Sequence, residues 1–470
     1  MRSLEISPSD FRQLAEQVTH LAYEYLSSLD ARPTFPATSG TRAEKLFRHG
    51  LPEEGLKSGA LNALRDVLDH SRAQSGRFFG YVLGSGEPVA ATADLLASVL
   101  NQNVTAWRSG PAAVTIERAV VDWLATAIGC SGFHGSLTGG GSPANLMGLA
   151  MAREAKLPAN ESGSVSSSHA VVYASEEVHM SIPKSIALLG IGRQNLRLIP
   201  TDVKYRMDLS ELKKAIQQDK SAGKTPIAIV ANAGTVNTGA IDPLREIAAI
   251  AQQYGLWMHV DGAYGALAAL AVPNKFAGLE LADSISLDPH KWLYQPLDCG
   301  CLLYRDPTRA RNAFSHSGDY AKVLSDHPVE GFAFFEESME LSRRFRALRL
   351  WLSLRYHGLQ AFRSSIREDL ELAQRLADSI GQSPELEVMA AVELSAVCFR
   401  YIGGAAKSEE KCNEQNGEIL KRVVQRGRVY LSNATLRGKF CLRACIVNHR
   451  TTQADIDAVV PEVLAAAEGL

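Results

Sequence analysis

A chain of 470 residues, 46% hydrophobic and 21% charged, has ordinary globular composition and room for two or three domains of about 150 residues. Its formal net charge of -2, with Lys and Arg spread along the chain, provides no field to recruit nucleic acid or an anionic membrane. Seven cysteines without a CxxC…CxxC layout read as free thiols in a reducing compartment, the cytoplasm, with no metal site; no signal peptide or membrane span is expected either, because Met1–Ser9 lacks an apolar core and no apolar run reaches about 18 residues.

The first predicted element is a helix. Ser7-Pro8-Ser9-Asp10 has the form of a cap with proline at the first helical position. Phe11, Leu14, Ala15, Val18, Leu21, Ala22, Tyr25 and Leu26 then follow at i, i+3, i+4 spacing, until Arg32-Pro33 ends the pattern. This apolar stripe needs a surface, either the body of the chain or a partner subunit. Residues 33–60, rich in Pro and Gly, read as an irregular connector. From about 85 to 310, helical and strand patterns alternate. Apolar runs at Ala170–Ala174, Ile227–Ala231, Trp257–Val260, Ser284–Leu287 and Gly300–Tyr304 read as buried parallel strands. Helical stretches such as Asp208–Gln218 and Pro243–Tyr254 separate several of them, as in an open α/β sheet with helices on both faces. Residues 159–168 read as a small polar loop, of which 164–168 lie outside the described residues, and Leu341–Tyr356 reads as a long helix. The expected organisation is an N-terminal helical segment at 1–84, a large α/β domain at 85–370 and a small C-terminal α/β domain at 371–470.

Open α/β sheets bind ligands beyond the carboxyl ends of their strands, and five such places stand out. After His134–Leu137, the turn Thr138-Gly139-Gly140-Gly141-Ser142 leads into a helix. Glycines let the backbone approach a phosphate, and the helix N-terminus offers free N–H groups. The same stretch, Gly139-x-Gly141-x-x-Ala144, also fits a dinucleotide fingerprint, but that wants an acidic residue for a ribose about 20 positions on, where 160–168 offers only a polar loop; the next strand ends later, at Ser175-Glu176. Taken alone, the turn stays open between a phosphate cradle and a structural turn. His179 follows the strand at 170–174, and the polar loop Asn232–Pro243 follows Ile227–Ala231. Asp261 follows Trp257–Val260; a buried carboxylate there is costly unless paired, and a protonated pyridine nitrogen is one such partner. Lys291, in Asp288-Pro-His-Lys-Trp292, follows Ser284–Leu287. Poor solvation there favours a neutral amine able to react with a carbonyl. Together these residues supply an anion site, a charge for a ring nitrogen and an amine, which is what pyridoxal phosphate (PLP) requires. A nicotinamide enzyme would need neither the Lys nor the Asp, and a scaffold would not call for both.

The motifs Arg77-Phe-Phe-Gly-Tyr81, Trp107-Arg-Ser-Gly-Pro-Ala112, Leu137 to Arg153, His259-Val-Asp-Gly-Ala-Tyr-Gly265 and Asp288-Pro-His-Lys-Trp292 carry a resemblance. Over roughly 75–360 the chain resembles the group II PLP-dependent decarboxylases, the family of aromatic-L-amino-acid decarboxylase, with the fold-type-I aminotransferase-like architecture. The resemblance implies a mainly parallel central sheet, a small C-terminal domain and a homodimer with its site at the interface. It makes Lys291 the Schiff-base lysine, Asp261 the partner of the pyridine nitrogen and His179 the imidazole stacked on the ring. Gly141, Ser142, Asp288 and His290 fall around the phosphate, while Thr235, Asp242 and Ala263 lie beside the cofactor. Tyr320, in Phe314-Ser-His-Ser-Gly-Asp-Tyr320, aligns with a loop tyrosine thought to protonate the α-carbon after carbon dioxide leaves. Aldehyde-forming relatives tend to carry Phe there.

The sequence also departs from the family pattern. Pro143 and Met180 replace polar residues, Asp288 replaces an Asn common in aromatic-specific relatives, and Val82 to Pro88 lacks their aromatic character. The expected reaction is decarboxylation of an L-amino acid, aromatic by family frequency. The alternative is a PLP enzyme with another outcome: aldehyde formation, transamination or a lyase reaction.

Overall fold

The computed structural model describes residues 4–163, 169–316, 327–404 and 408–470. Seven strands form the central sheet: β1 (His134–Thr138), β2 (Ala170–Ser175), β3 (Leu196–Ile199), β4 (Thr225–Asn232), β5 (Trp257–Asp261), β6 (Ser284–Leu287) and β7 (Gly300–Tyr304). Their order is β1-β7-β6-β5-β4-β2-β3. From β3 to β6 all neighbours are parallel.

β7 corrects the expectation of a parallel strand: it runs antiparallel to both β6 and β1. The chain between β6 and β7 holds only the four-residue helix Pro289–Trp292, too little for the crossover that a parallel return needs. Because β7 reverses between them, β1 and β6 point the same way. The carboxyl ends of β1, β2, β4, β5 and β6 therefore lie along one edge of the sheet.

A second sheet near the C-terminus is antiparallel throughout, in the order β10 (Ser432–Leu436), β11 (Lys439–Cys445), β9 (Ala396–Tyr401), β8 (Leu386–Val388). Phe399, Leu442, Ile419 and Val459 pack in a core cluster there, separate from those of the large sheet. The helix Ala347–Gly381 joins the two regions and runs through residue 370. It begins later than the expected Leu341 and continues past Tyr356, with a break in helical geometry at Gly358 (φ 75°). Residues 341–346 stay out of the helix because tertiary contacts hold them: Arg343 reaches the buried Glu117 carboxylate and the carbonyls of Val104 and Leu137.

The N-terminal helix spans Pro8–Ser27, capped by Ser7 and Asp10 in a reciprocal box. Residues 33–60 are more ordered than a connector: Ser39 caps the helix Gly40–Phe47, and a 3-10 helix starts at Lys57. Among the described residues, no helix is long and apolar enough to cross a membrane.

Candidate active site

The strand ends converge on one cavity. Its wall takes Gly139 to Ser142 from the β1 turn, His179 from beyond β2, and Asn232, Gly234 and Val236 from the end of β4 and its loop. Asp261 and Ala263 come from the β5 end, and Asp288, His290 and Lys291 from the β6 end.

The lysine turn is built by packing. Pro289 starts the short helix, and Trp292 is fully buried with its ring stacked on Tyr264, centroids 6.0 Å apart and planes 4° apart. With that anchor inside, Lys291 faces the cavity and its Nζ lies 2.9 Å from Asp288 Oδ2. The other oxygen, Asp288 Oδ1, is buried without a hydrogen-bond partner. His290 Nδ1 lies 2.7 Å from the Cys299 carbonyl and so donates to it, while burial lowers the pKa of the ring. Gly84 explains the unusual Val82 to Pro88 segment. A Cβ there would stand 2.5 Å from the His290 carbonyl and 2.6 Å from that of Lys291, so this strip of chain lies against the back of the lysine turn.

The glycine turn is equally close-fitted. Gly140 has φ +122°, a conformation natural to glycine, and a Cβ on Gly300 would lie 2.4 Å from its Cα. No side chain caps the 16-residue helix that starts at Gly141, so its N-terminus opens onto the cavity.

Asp261 is buried and accepts three hydrogen bonds. Oδ1 takes one from Ser286 Oγ at 3.1 Å and one from the Ala263 N–H at 3.2 Å, and Oδ2 takes one from Asn145 Nδ2 at 3.0 Å. Beside it, His179 is half-buried, with Nδ1 2.8 Å from Ser181 Oγ, and burial lowers its pKa.

Eight of the residues singled out in the sequence thus line one cavity: Gly141, Ser142, His179, Asp261, Ala263, Asp288, His290 and Lys291. Thr235 and Asp242 sit behind its wall. Asp242 accepts from the backbone N–H groups of Met207 and Asn232, each at 2.7 Å, and burial pushes its pKa up to about 6. Thr235 Oγ1 bonds Thr238 Oγ1 at 3.0 Å and accepts from the Ala240 N–H. Tyr320 lies outside the described residues. Sequence reasoning missed Asn145, Ser286, His259 and Ser284. The available signal was polar residues recurring on one face of otherwise apolar strands, with Ser284 paired to His259 and Ser286 to Asp261 in register.

Comparison with known proteins gives the family. The pyridoxal-dependent decarboxylase conserved domain matches residues 51–402. The chain is 35% identical to an aromatic-L-amino-acid decarboxylase of Bacillus atrophaeus over 99% of its own length and 97% of the relative's. It is 29% identical to a phenylacetaldehyde synthase of Petunia hybrida, covering 96% and 93%. The crystal structure of Oryza sativa TDC with PLP and tryptamine superposes with a TM-score of 0.92 at 28% identity, covering 99% of each chain. A domain match across most of the chain and full-length likeness to these enzymes place it: the chain belongs to the pyridoxal-dependent decarboxylases, and its cofactor is pyridoxal phosphate.

Proposed function

We propose that this enzyme converts an L-amino acid, aromatic by its relatives, to the amine and carbon dioxide, with pyridoxal phosphate bound in the strand-end cavity through Lys291. One observation carries the reading: an amine, a carboxylate and an uncapped helix N-terminus face the same cavity. The fit to the cofactor is specific. A Cβ on Gly141 would lie 2.7 Å from the Ala263 Cβ and 3.1 Å from Asp288 Oδ2, so only glycine brings the backbone N–H groups this close to the β5 and β6 ends beside the place for the phosphate. The unpartnered Asp288 Oδ1 leaves an acceptor free for a donor on the bound molecule or its water.

When bound, the cofactor supplies a sink for the electrons left behind as the carboxylate departs. Lys291 would hold it through its side-chain amine. Asp261 would keep a proton at the ring nitrogen, and His179 would cover one ring face. Gly141 and Ser142 offer N–H groups and a hydroxyl to the phosphate, flanked by Asp288 and His290. Ala263 borders the ring, and Thr235 and Asp242 brace the loop that carries Gly234 and Val236. Tyr320 returns the proton to the α-carbon.

The likeness to a phenylacetaldehyde synthase favours one second reading, aldehyde formation; a tyrosine rather than phenylalanine at 320 speaks for the amine. Incubation of purified enzyme and PLP with a panel of aromatic, hydroxylated and acidic L-amino acids, read by mass spectrometry, tests both. An amine is expected. An aldehyde moves the enzyme to the second reading, and no carbon dioxide from any amino acid in the panel overturns decarboxylation.

The enzyme is proposed as a homodimer. Exposed apolar side chains support this, including Phe11, Val18 and Tyr23 on the helix Pro8–Ser27 and Leu95, Leu96 and Val99 on the helix Pro88–Leu100. Sedimentation is expected to give a dimer; an active, PLP-loaded monomer would contradict it. Seven free cysteines, six of them buried, suit a reducing compartment such as the cytoplasm.

A further inference from the structure

From the cavity wall, which Asn145 itself lines, inward to Trp257, the groups that reach Asp261 and His179 form one connected chain. Trp257 Nε1–H can only donate, and it donates to Ser284 Oγ at 2.9 Å. Ser284 Oγ also lies 2.8 Å from His259 Nδ1. The direction there is set from the far end: the Asp261 carboxylate only accepts, so Asn145 turns Nδ2 to it and Oδ1 to His259 Nε2–H. That leaves Nδ1 of the neutral ring to accept the Ser284 proton. His259 thus carries its proton on Nε2, which donates to Asn145 Oδ1 at 2.9 Å. Asn145 Nδ2 donates to Asp261 Oδ2 at 3.0 Å and to Ser181 Oγ at 2.9 Å. Ser181 in turn bonds His179 Nδ1 at 2.8 Å. The reversed amide would set Oδ1 against the Asp261 carboxylate and Nδ2 against the His259 N–H, two repulsive contacts in place of two bonds.

Packing supports the chain at each step. Trp257, His259 and Asp261 alternate onto one face of β5, beside Ser284 and Ser286 of β6. A Cβ on Gly148, one turn beyond Asn145, would come within 2.6 Å of His259 Cε1 and Nδ1, so the imidazole fits only against glycine. Burial holds the pKa of His259 down to about 4, which keeps the ring neutral, as its place in the chain requires.

We propose that Asn145 is a positioning residue: fixed at its Oδ1 by His259, which Ser284 and Trp257 support from behind, it holds Asp261 as an acceptor toward the cofactor's ring nitrogen, and through Ser181 it steadies His179. This rests on the reading of the cavity as the PLP site.

The test uses the PLP-loaded full chain with ring-¹⁵N cofactor. Asn145→Leu keeps the branching of the side chain and removes every donor. The ring-nitrogen resonance is expected to move from the pyridinium position toward neutral pyridine, and the PLP dissociation constant to rise at least tenfold. His259→Gln, which can still donate to Asn145, should keep the parent resonance, whereas His259→Leu should lose it. If N145L fails to fold, this His259 pair decides on the same resonance. An unchanged pyridinium resonance with affinity within twofold of the parent, in N145L or in H259L, overturns the proposal. Borohydride treatment separates the two ideas. A Lys291 adduct in the parent with unmoved resonances defeats only the role of Asn145; no adduct in the parent defeats the cofactor reading itself.

Discussion

The β5 end and the loop after β4 each carry a buried aspartate, Asp261 at 6% exposure and Asp242 at 2%, yet their surroundings differ in kind. Asp242 spends both oxygens on backbone N–H groups that tie its loop to Met207 and Asn232. Asp261 takes its bonds from Asn145, Ser286 and one backbone N–H, and still borders the cavity. Burial alone does not mark a reactive carboxylate; an open side does. One aspartate closes a loop, and the other is positioned for a ligand.

The sharpest way to break this contrast starts with Lys291, which shares the cavity with Asp261. K291A should take turnover below detection while the protein stays folded, as read by product assay and circular dichroism. D261A should lower kcat on the order of 10²–10³-fold, the scale for removing a preorganised electrostatic partner, with a smaller loss of Tm than D242A, because its donors Asn145 and Ala263 border the cavity and can turn to water. D242A should do the reverse. It strands two buried N–H donors and should cost about 1–3 kcal/mol of stability in a denaturant titration, with a smaller loss in kcat than D261A. Equal kcat losses for the two aspartates would dissolve the distinction.

Acid should act on the histidines behind the site. Burial lowers His259 and also His449, which packs edge-on to Tyr294 with Nδ1 2.7 Å from Ser85 Oγ, from 6.5 to about 4, so their contribution is fully present above pH 6.5 and is lost as pH falls toward 4. Tm should therefore drop over that window, and a flat profile would contradict it. Asp242 opposes this with the smallest effect. Its carboxyl, raised from 3.8 to about 6, adds stability at low pH that is lost as pH rises through 6, so D242A should steepen the acid-side fall.

Much of this arrangement was legible in the sequence, for identifiable reasons. β6 and β7 lie where their apolar runs put them, because strands buried on both faces read as unbroken hydrophobic stretches. The direction of β7 was not legible, since burial carries no polarity along a strand; the short link before it was the clue. β3, Leu196–Ile199, escaped notice as a half-exposed edge strand interrupted by Arg197. Asp261 and Lys291 could be read because charged residues at the ends of buried strands are costly. Asn145 could not, because alone it looks like a satisfied core polar group on a helix, and His259 and Ser284 left only the faint signal of polar residues on one face of apolar strands; their contacts reveal the chain. The start of the long helix was misplaced because Arg343 is held by a buried carboxylate more than 200 residues away in sequence.

The central claim is that Lys291 holds the cofactor. The most direct measurement is borohydride reduction of the PLP-loaded enzyme followed by peptide mass mapping. The account predicts one stable pyridoxyl adduct, on the peptide containing Lys291, and none in K291A. An adduct on another lysine, or no adduct with PLP present, would contradict it.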